Sequence, residues 1–331
     1  MDKKGKVLIT GAAGFIGSHL VDKYLAEGFE VVGIDNFLTG SLHNLSHLDS
    51  NPYFQFIEAD VSSRPEMEKK GLFDIPSMEK FDIVLHFACP ASPVDYFKFP
   101  LETMKVDSYG TFNTLDLAHK MNATYIIAST SEIYGDPKVH PQTESYWGNV
   151  NPNGPRSVYD EAKRFSEAAV MSYHREFGLD SRIVRIFNTY GPRMKINDGR
   201  VVPNFIYQVL KGEDITVYGD GSQSRSFCYV DDLVEGIFRF STYMGLDGEV
   251  MNLGNPEEYK IIDFAKIILQ KMNGSSKISF KPLPVDDPRQ RKPDVSKANK
   301  IIKWEAKTSL DQGLGKTIDF FKNVIMESPE K

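Results

Sequence analysis

A parallel β-sheet wound with helices on both faces, with a smaller α/β lobe hung on its end, is the fold class this sequence predicts. Three observations predict it. Short β-branched apolar runs alternate with longer amphipathic stretches through the first 190 residues, the pattern of strands buried on both faces and joined by crossover helices. A glycine-spaced turn follows the first run directly. After residue 190 the texture changes to Gly, Pro and polar turns, as in GPRMKINDGR, YGDGSQSRS and PLPVDDPRQRKPD.

The strand runs are KVLIT, EVVGID, YFQFIEAD, FDIVLHFA, TYIIAST and SRIVRIF. Helical periodicity fills Phe15 to Gly28, Pro100 to Met121 and Tyr159 to Phe177. In the later part, amphipathic helices are predicted near 201–211 and 259–273, and a last one starts at Ser309, where S-x-x-Q matches a capping box. This divides the chain into a dinucleotide-binding domain, residues 1–188 with about 228–256, and a second lobe, residues 189–227 and 257–331.

Composition narrows the function classes. Net charge is −6, so there is no basic field to attract nucleic acid or an acidic membrane surface. No apolar stretch reaches the roughly 18 residues of a membrane span. The first strand begins within a few residues of Met1, which leaves no room for a signal peptide. The two cysteines, Cys89 and Cys228, lack metal-ligand spacing and read as small buried apolar residues in a reducing compartment. A cytoplasmic protein is expected. His43 and His47 are four apart but have no third ligand pattern, so no metal is predicted.

VLITGAAGFIGSHL places Gly11, Gly14 and Gly17 after a strand and at the start of a helix. Glycines there permit a tight turn and let backbone N–H groups approach a pyrophosphate. The second strand ends in Asp35, twenty-four residues after Gly11, where an acid accepts hydrogen bonds from an adenosine ribose. No Arg or Lys follows in NFLTG to bind a 2′-phosphate. The sheet is therefore predicted to be Rossmann-like and the cofactor NAD.

An enzyme that oxidises an alcohol with such a cofactor needs a group to take the hydroxyl proton. Tyr can do so if a nearby cation stabilises its phenolate, and Y-x-x-x-K puts the two on one helix face. The pattern occurs three times. Tyr134/Lys138 spans Gly135 and Pro137, which spoil a helix. Tyr207/Lys211 reads as a surface pair. Tyr159/Lys163 opens a good helix after the strand ending in Thr130, and is the predicted pair. That strand itself delivers hydroxyls and one carboxylate, Glu132, to its carboxyl end.

Together, the glycine turn, Asp35, Thr130 and Y-x-x-x-K make the chain resemble the extended short-chain dehydrogenase/reductase superfamily. STSEIYGDPKVHPQTESYWGNVNPNGPRSVYDEAKR, RIFNTYGPRM, NDGRVVPNFI, GSQSRSFCYVDDLVEG, NLGNPEEY and DDPRQRKPD resemble its UDP-glucuronate decarboxylase (UDP-xylose synthase) branch, from about residue 6 to about 322. The resemblance implies a lyase acting on a UDP-sugar with NAD. Related dehydratases carry Asp-Glu after the threonine, where this chain has Ser131 and Glu132; related 4-epimerases put a small residue at the Glu132 place. A hydroxyl pair with one acid fits oxidation at C4 of a uronate, loss of CO2 and return of hydride.

The resemblance further implies Thr130, Ser131, Glu132, Tyr159, Lys163 and Arg291 as catalytic residues. For the cofactor it implies Gly11, Gly14, Phe15, Ile16, Gly17, Asp35, Asn36, Phe37, Thr39, Gly40, Asp60, Val61, Ala88, Thr189 and Arg200, with Tyr159 and Lys163. For the substrate it implies Lys105, Asn188, Arg225 and Arg291. Cys89 departs from the serine that the resemblance leads one to expect; a packing role is expected, with a place lining the cofactor site as the alternative. A dehydratase or epimerase on another nucleotide sugar, or a non-catalytic NAD-binding sensor, are the alternatives. Relatives pair the 100–121 and 159–177 helices into a four-helix bundle, so a homodimer is expected, with Phe112, Leu115, Ala169 and Val170 as apolar residues beyond what the sheet requires.

Overall fold

Seven parallel strands form the central sheet of the computed structural model, which describes residues 3–74 and 80–327. The outermost residues of the predicted domains, 1–2 and 328–331, lie outside the described residues. The six predicted runs become β1 (Lys6–Thr10), β2 (Glu30–Asp35), β3 (Phe54–Glu58), β4 (Ile83–His86), β5 (Thr124–Thr130) and β6 (Ser181–Ile186). Across the sheet the order is Val250–Leu253, β6, β5, β4, β1, β2, β3. The chain thus builds outward from β1 to β3 and then restarts on β1's other side with β4. That reversal opens a crevice at the carboxyl ends of β1 and β4, where doubly wound sheets bind ligands. Val7, Leu8 and Ile9 of β1 and Tyr125, Ile126 and Ile127 of β5 are wholly buried, as strands covered on both faces must be.

The predicted helices form with boundaries shifted by a few residues: Phe15–Ala26, Ser157–Phe177, Val201–Leu210, Ile261–Met272 and Leu310–Glu327. The capping box is present reciprocally. Gln312 N–H donates to Ser309 Oγ at 3.3 Å, and Ser309 N–H to Gln312 Oε1 at 3.4 Å. The Pro100–Met121 stretch is not one regular helix. It runs as Pro100–Lys105, a π-helical turn at Val106–Gly110, and Thr111–Met121.

Among the elements of this part that were not predicted are the short helices Arg64–Lys69 and Pro93–Lys98, the Val250–Leu253 strand and the Val230–Thr242 helix. The last packs on Phe15–Ala26, with Tyr24 and Phe238 in edge contact at 5.3 Å. Gly236 interrupts its pattern for a reason of packing: a Cβ there would meet the Trp304 indole at 2.9 Å.

The second lobe is built from small sheets. Ile278–Lys281 runs parallel to Ile215–Tyr218, and Thr189–Tyr190 parallel to Cys228–Tyr229. Ser224–Ser226 is flanked by antiparallel Glu258–Lys260 and parallel Gln290–Arg291, which sets Arg291 opposite Arg225. Among the described residues no helix is long and apolar enough to cross a membrane.

Candidate active site

A cavity of about 1630 Å³ lies over the carboxyl edge of the sheet, between it and the second lobe. Its floor at one end is the glycine turn. Gly11 has φ +71°, and a Cβ there would lie 2.8 Å from the Ala88 backbone. A Cβ on Gly17 would lie 1.9 Å from the Gly11 carbonyl oxygen. The Phe15–Ala26 helix is preceded by extended Gly14, with no side chain capping its first N–H groups. Those donors are left for an anion at the helix N-terminus.

Asp35, at the end of β2, is buried and accepts from Ala13 N–H at 3.0 Å and Phe37 N–H at 2.8 Å. Burial raises its pKa, against those backbone donors. A carboxylate has about four lone-pair sites, so acceptor capacity remains for a hydroxyl. The residues present therefore fit a dinucleotide: open N–H groups for a pyrophosphate, a glycine-only cradle and a buried acid for a ribose.

Phe15, Ile16, Asn36, Thr39, Asp60, Val61, Ala88, Thr189 and Arg200 also line the cavity. Phe37 and Gly40 are outside its lining. They act on Asp35 instead, Phe37 by its N–H and Gly40 by close approach, since a Cβ there would lie 2.9 Å from the carboxylate.

At the other end stand the residues of β5 and the Ser157–Phe177 helix. Thr130 ends β5, and its Oγ1 accepts from Glu132 N–H at 3.2 Å, capping the one-turn helix Ser131–Tyr134. Tyr159 stacks on Tyr96, with ring centroids 5.1 Å apart, and lines the cavity with Thr130. Burial pushes the Tyr159 phenol up, and Lys163 opposes it. The Lys163 ammonium donates to the Ala128 carbonyl at 3.0 Å and pairs with Asp107 at 2.8 Å. Of the other two Y-x-x-x-K pairs, Tyr134 is wholly buried and donates to Asn252 at 2.8 Å, whereas Lys211 lies 5.9 Å over the Tyr207 ring, away from the chemistry.

Glu132 is held by two arginines, Arg291 and Arg156. Burial disfavours its charge, but the two guanidiniums outweigh burial and bring its pKa to about 2. Asp160 responds oppositely. Burial, then the Glu132 anion, raise it to about 7. Ser131 is buried and lines the cavity, as do Lys105, Asn188 and Arg225. Arg225 donates to Asp287 at 2.9 Å.

Four residues at this end escaped the sequence reading: Arg156, Asp160, Tyr96 and Asp107. Arg156 and Asp160 had a signal, since Arg156 precedes Tyr159 by three positions and Asp160 by four and so shares their helix face. Tyr96 and Asp107 had none, because they arrive from separate segments. Cys89 packs against the core, as expected, and has a second role as well. It is half-buried, lines the cavity and donates to Asp107 Oδ2 at 3.2 Å. His43 lines the cavity, whereas His47 is outside its lining and pairs with Asp22 at 2.6 Å.

Comparison with known proteins agrees with this geometry. Residues 8–317 match the family model described as GDP-mannose 4,6 dehydratase. UDP-glucuronic acid decarboxylase 1 of Arabidopsis thaliana is 48% identical over 330 residues, which is 99% of this chain and 72% of that protein. The UDP-glucuronic acid 4-epimerase of Bacillus cereus, solved with UDP-glucuronic acid and NAD, superposes with a TM-score of 0.85 at 30% identity, covering 96% of this chain and 99% of that one. The UDP-glucose 4-epimerase of Thermotoga maritima, solved with UDP-glucose, gives a TM-score of 0.86 at 30% identity, covering 97% and 99%. Fold neighbours of several activities thus share the scaffold, while near full-length identity singles out one of them: the chain belongs to the UDP-glucuronic acid decarboxylases, within the GDP-mannose 4,6 dehydratase family of extended short-chain dehydrogenase/reductases.

Proposed function

We propose that this chain converts UDP-glucuronate to UDP-xylose and CO2, with NAD reduced and reoxidised within each turnover. The observation that carries the reading is the lone carboxylate at the end of β5, Glu132, set between Arg156 and Arg291 and beside Thr130, Tyr159 and Lys163. NAD, when bound, supplies a reversible two-electron acceptor for C4. Tyr159 takes the C4 hydroxyl proton, helped by the charge of Lys163, and Thr130 holds the same oxygen. The C4 ketone makes the substrate a β-keto acid. Its C5–carboxyl bond then breaks, CO2 leaves, and the electron pair passes into the ketone as an enolate. Glu132, kept as an anion by its two arginines, and Ser131 assist decarboxylation and orient the water that protonates C5; with hydride returned to C4, Tyr159 returns its proton to the C4 oxygen.

Asn188 and Arg225 would hold the nucleotide diphosphate, Arg225 by bidentate phosphate contact; Arg291 would reach into the sugar pocket, and Lys105 would also bind the substrate. Gly11, Gly14, Gly17 and Asp35, with the neighbouring residues named above, would hold NAD. On this reading the 1–188 and 228–256 segments form the cofactor domain, and 189–227 with 257–331 the nucleotide-sugar lobe.

A homodimer through the two long helices accompanies this function. Leu115, Ala169 and Val170, expected to be surplus, are buried in the protomer's own core. The sheet-facing sides of these helices consume them. What remains outward is an aromatic row: Phe165 against Phe112 at 5.8 Å, Phe112 against Tyr173 at 6.4 Å, and Tyr173 against Phe177 at 5.2 Å. Phe112, Phe165 and Phe177 are exposed, as are Leu101, Met104 and Tyr109. A second copy covers such a face by two-fold symmetry.

Incubation with NAD and UDP-glucuronate, followed by product mass, tests the reaction. Loss of one CO2 is expected. Loss of one water indicates a dehydratase, unchanged mass with a new sugar an epimerase, and no turnover a sensor.

A further inference from the structure

Asp107 lies at the irregular point of the Pro100–Met121 stretch, inside the π-helical turn Val106–Gly110. Such turns are single wide turns that recur at functional sites. This one is fastened on several sides. Ser166 Oγ and Thr111 Oγ1 both donate to the Asp107 carbonyl, at 2.5 and 2.9 Å, and the His86 ring sits 3.3 Å from the Val106 carbonyl. The carboxylate so placed is wholly buried. Its Oδ1 pairs with Lys163 Nζ at 2.8 Å, and its Oδ2 accepts from Cys89 Sγ at 3.2 Å. Lys163 is itself 3% exposed.

We infer that Asp107 is the buried counter-ion that positions Lys163 and sets the pH range in which the Tyr159–Lys163 pair works. Lys163 donates to the Ala128 carbonyl and faces Asp107 Oδ1 as its ion-pair partner. An ammonium buried this deeply without a counter-ion tends to lose its proton. Burial is indeed the strongest influence on Lys163, and Asp107 is the first that opposes it. The same carboxylate offsets the Lys163 charge felt by Tyr159, so it governs both members of the pair.

The other titratable groups facing the pair are Cys89, His86, Tyr125, Tyr96, whose phenol burial keeps protonated, and, across the cavity, Arg200. His86 stays neutral, since burial and then Lys163 bring its pKa to about 3. Burial, then Asp107, keep the Cys89 thiol protonated, and burial keeps the Tyr125 phenol protonated. Arg200 is paired with Asp198. Asp107 is therefore the anion whose removal changes the charge balance at Lys163.

The inference rests on Tyr159 as the base of the reaction proposed above. Its test is Asp107→Asn, which keeps shape and an acceptor oxygen but removes the charge. The readout is kcat/KM against pH, with NAD retention and the melting temperature recorded alongside. Both limbs should move to lower pH by about one unit or more. Lys163 then loses its proton earlier, and below that point its uncompensated charge acts more strongly on Tyr159. A lower plateau with unmoved limbs means a structural role only and overturns the inference, as does movement to higher pH. If Asp107→Asn does not fold, Cys89→Ser takes its place. A hydroxyl is a stronger donor to Oδ2 than a thiol and draws charge from Lys163, so the limbs should move the same way by less; unmoved limbs again overturn it. Tyr159→Phe separates the two claims. Full activity in that variant defeats the base assignment, whereas a Tyr159-dependent enzyme with unmoved limbs in Asp107→Asn defeats only the role of Asp107.

Discussion

The Arg291 guanidinium is ion-paired with the Glu132 carboxylate although 159 positions separate them in the chain. Arg291 reaches it because the Gln290–Arg291 strand adds to Ser224–Ser226 in parallel register. Glu132 waits at the end of β5 with Arg156 on its other oxygen. The second lobe thereby closes a cation onto the acid that the sheet presents.

Glu132→Gln keeps size and hydrogen bonding but removes the anion. Oxidation at C4 should survive better than CO2 release or reprotonation. In a single turnover with UDP-glucuronate, reduced nicotinamide should accumulate on the enzyme, read by its absorbance. Equal loss of cofactor reduction and CO2 release would instead assign Glu132 to substrate binding or to the oxidation step.

Tyr159→Phe should fold and bind NAD but turn over about 100-fold more slowly or worse, the usual scale for a general base. Turnover is measured by CO2 release and cofactor binding by calorimetry. Activity within a few-fold of the parent would end the assignment.

Asp160 predicts a pH dependence of stability. Burial, then Glu132, raise its pKa from 3.8 to about 7. The folded chain thus holds this proton more tightly than the unfolded one, so ionisation costs stability progressively as pH rises from 3.8 to 7, in full above. Asp160→Asn should raise the melting temperature above pH 7 and gain nothing below 3.8. A gain equal at both ends would contradict the raised pKa.

Phe165→Asp places a charge in the outward aromatic row, where Phe165 meets Phe112 at 5.8 Å. The protomer should keep its fold, since Phe165 is exposed. Light scattering at micromolar concentration should give a dimer for the parent and a monomer for the variant. A parent protein that is already monomeric would remove the bundle proposal.

Local sequence determined much of this protein, because much of it rests on local physics. Strand alternation and burial on both faces made β1 to β6 legible, and the tight turn at Gly11 and Gly17 announced an anion cradle before any contact was known. Tyr159 and Lys163 could be paired from sequence because one helical turn joins them. Even the Ser309 capping box is a matter of four consecutive residues. Tertiary structure decided what needs distant segments to meet. Asp107 looked like an ordinary helix residue, and only the π-helical turn fastened by Ser166 and Thr111 points its carboxylate at Lys163. Val230–Thr242 carried a mid-helix glycine whose purpose, room for Trp304, lies 68 residues further on. Glu132 showed one acid and no partner in sequence. Arg291 was named from the sequence as a site residue and Arg156 stood one turn before Tyr159, but that both close on Glu132 was decided only when the fold brought a helix start and a two-residue strand to the end of β5.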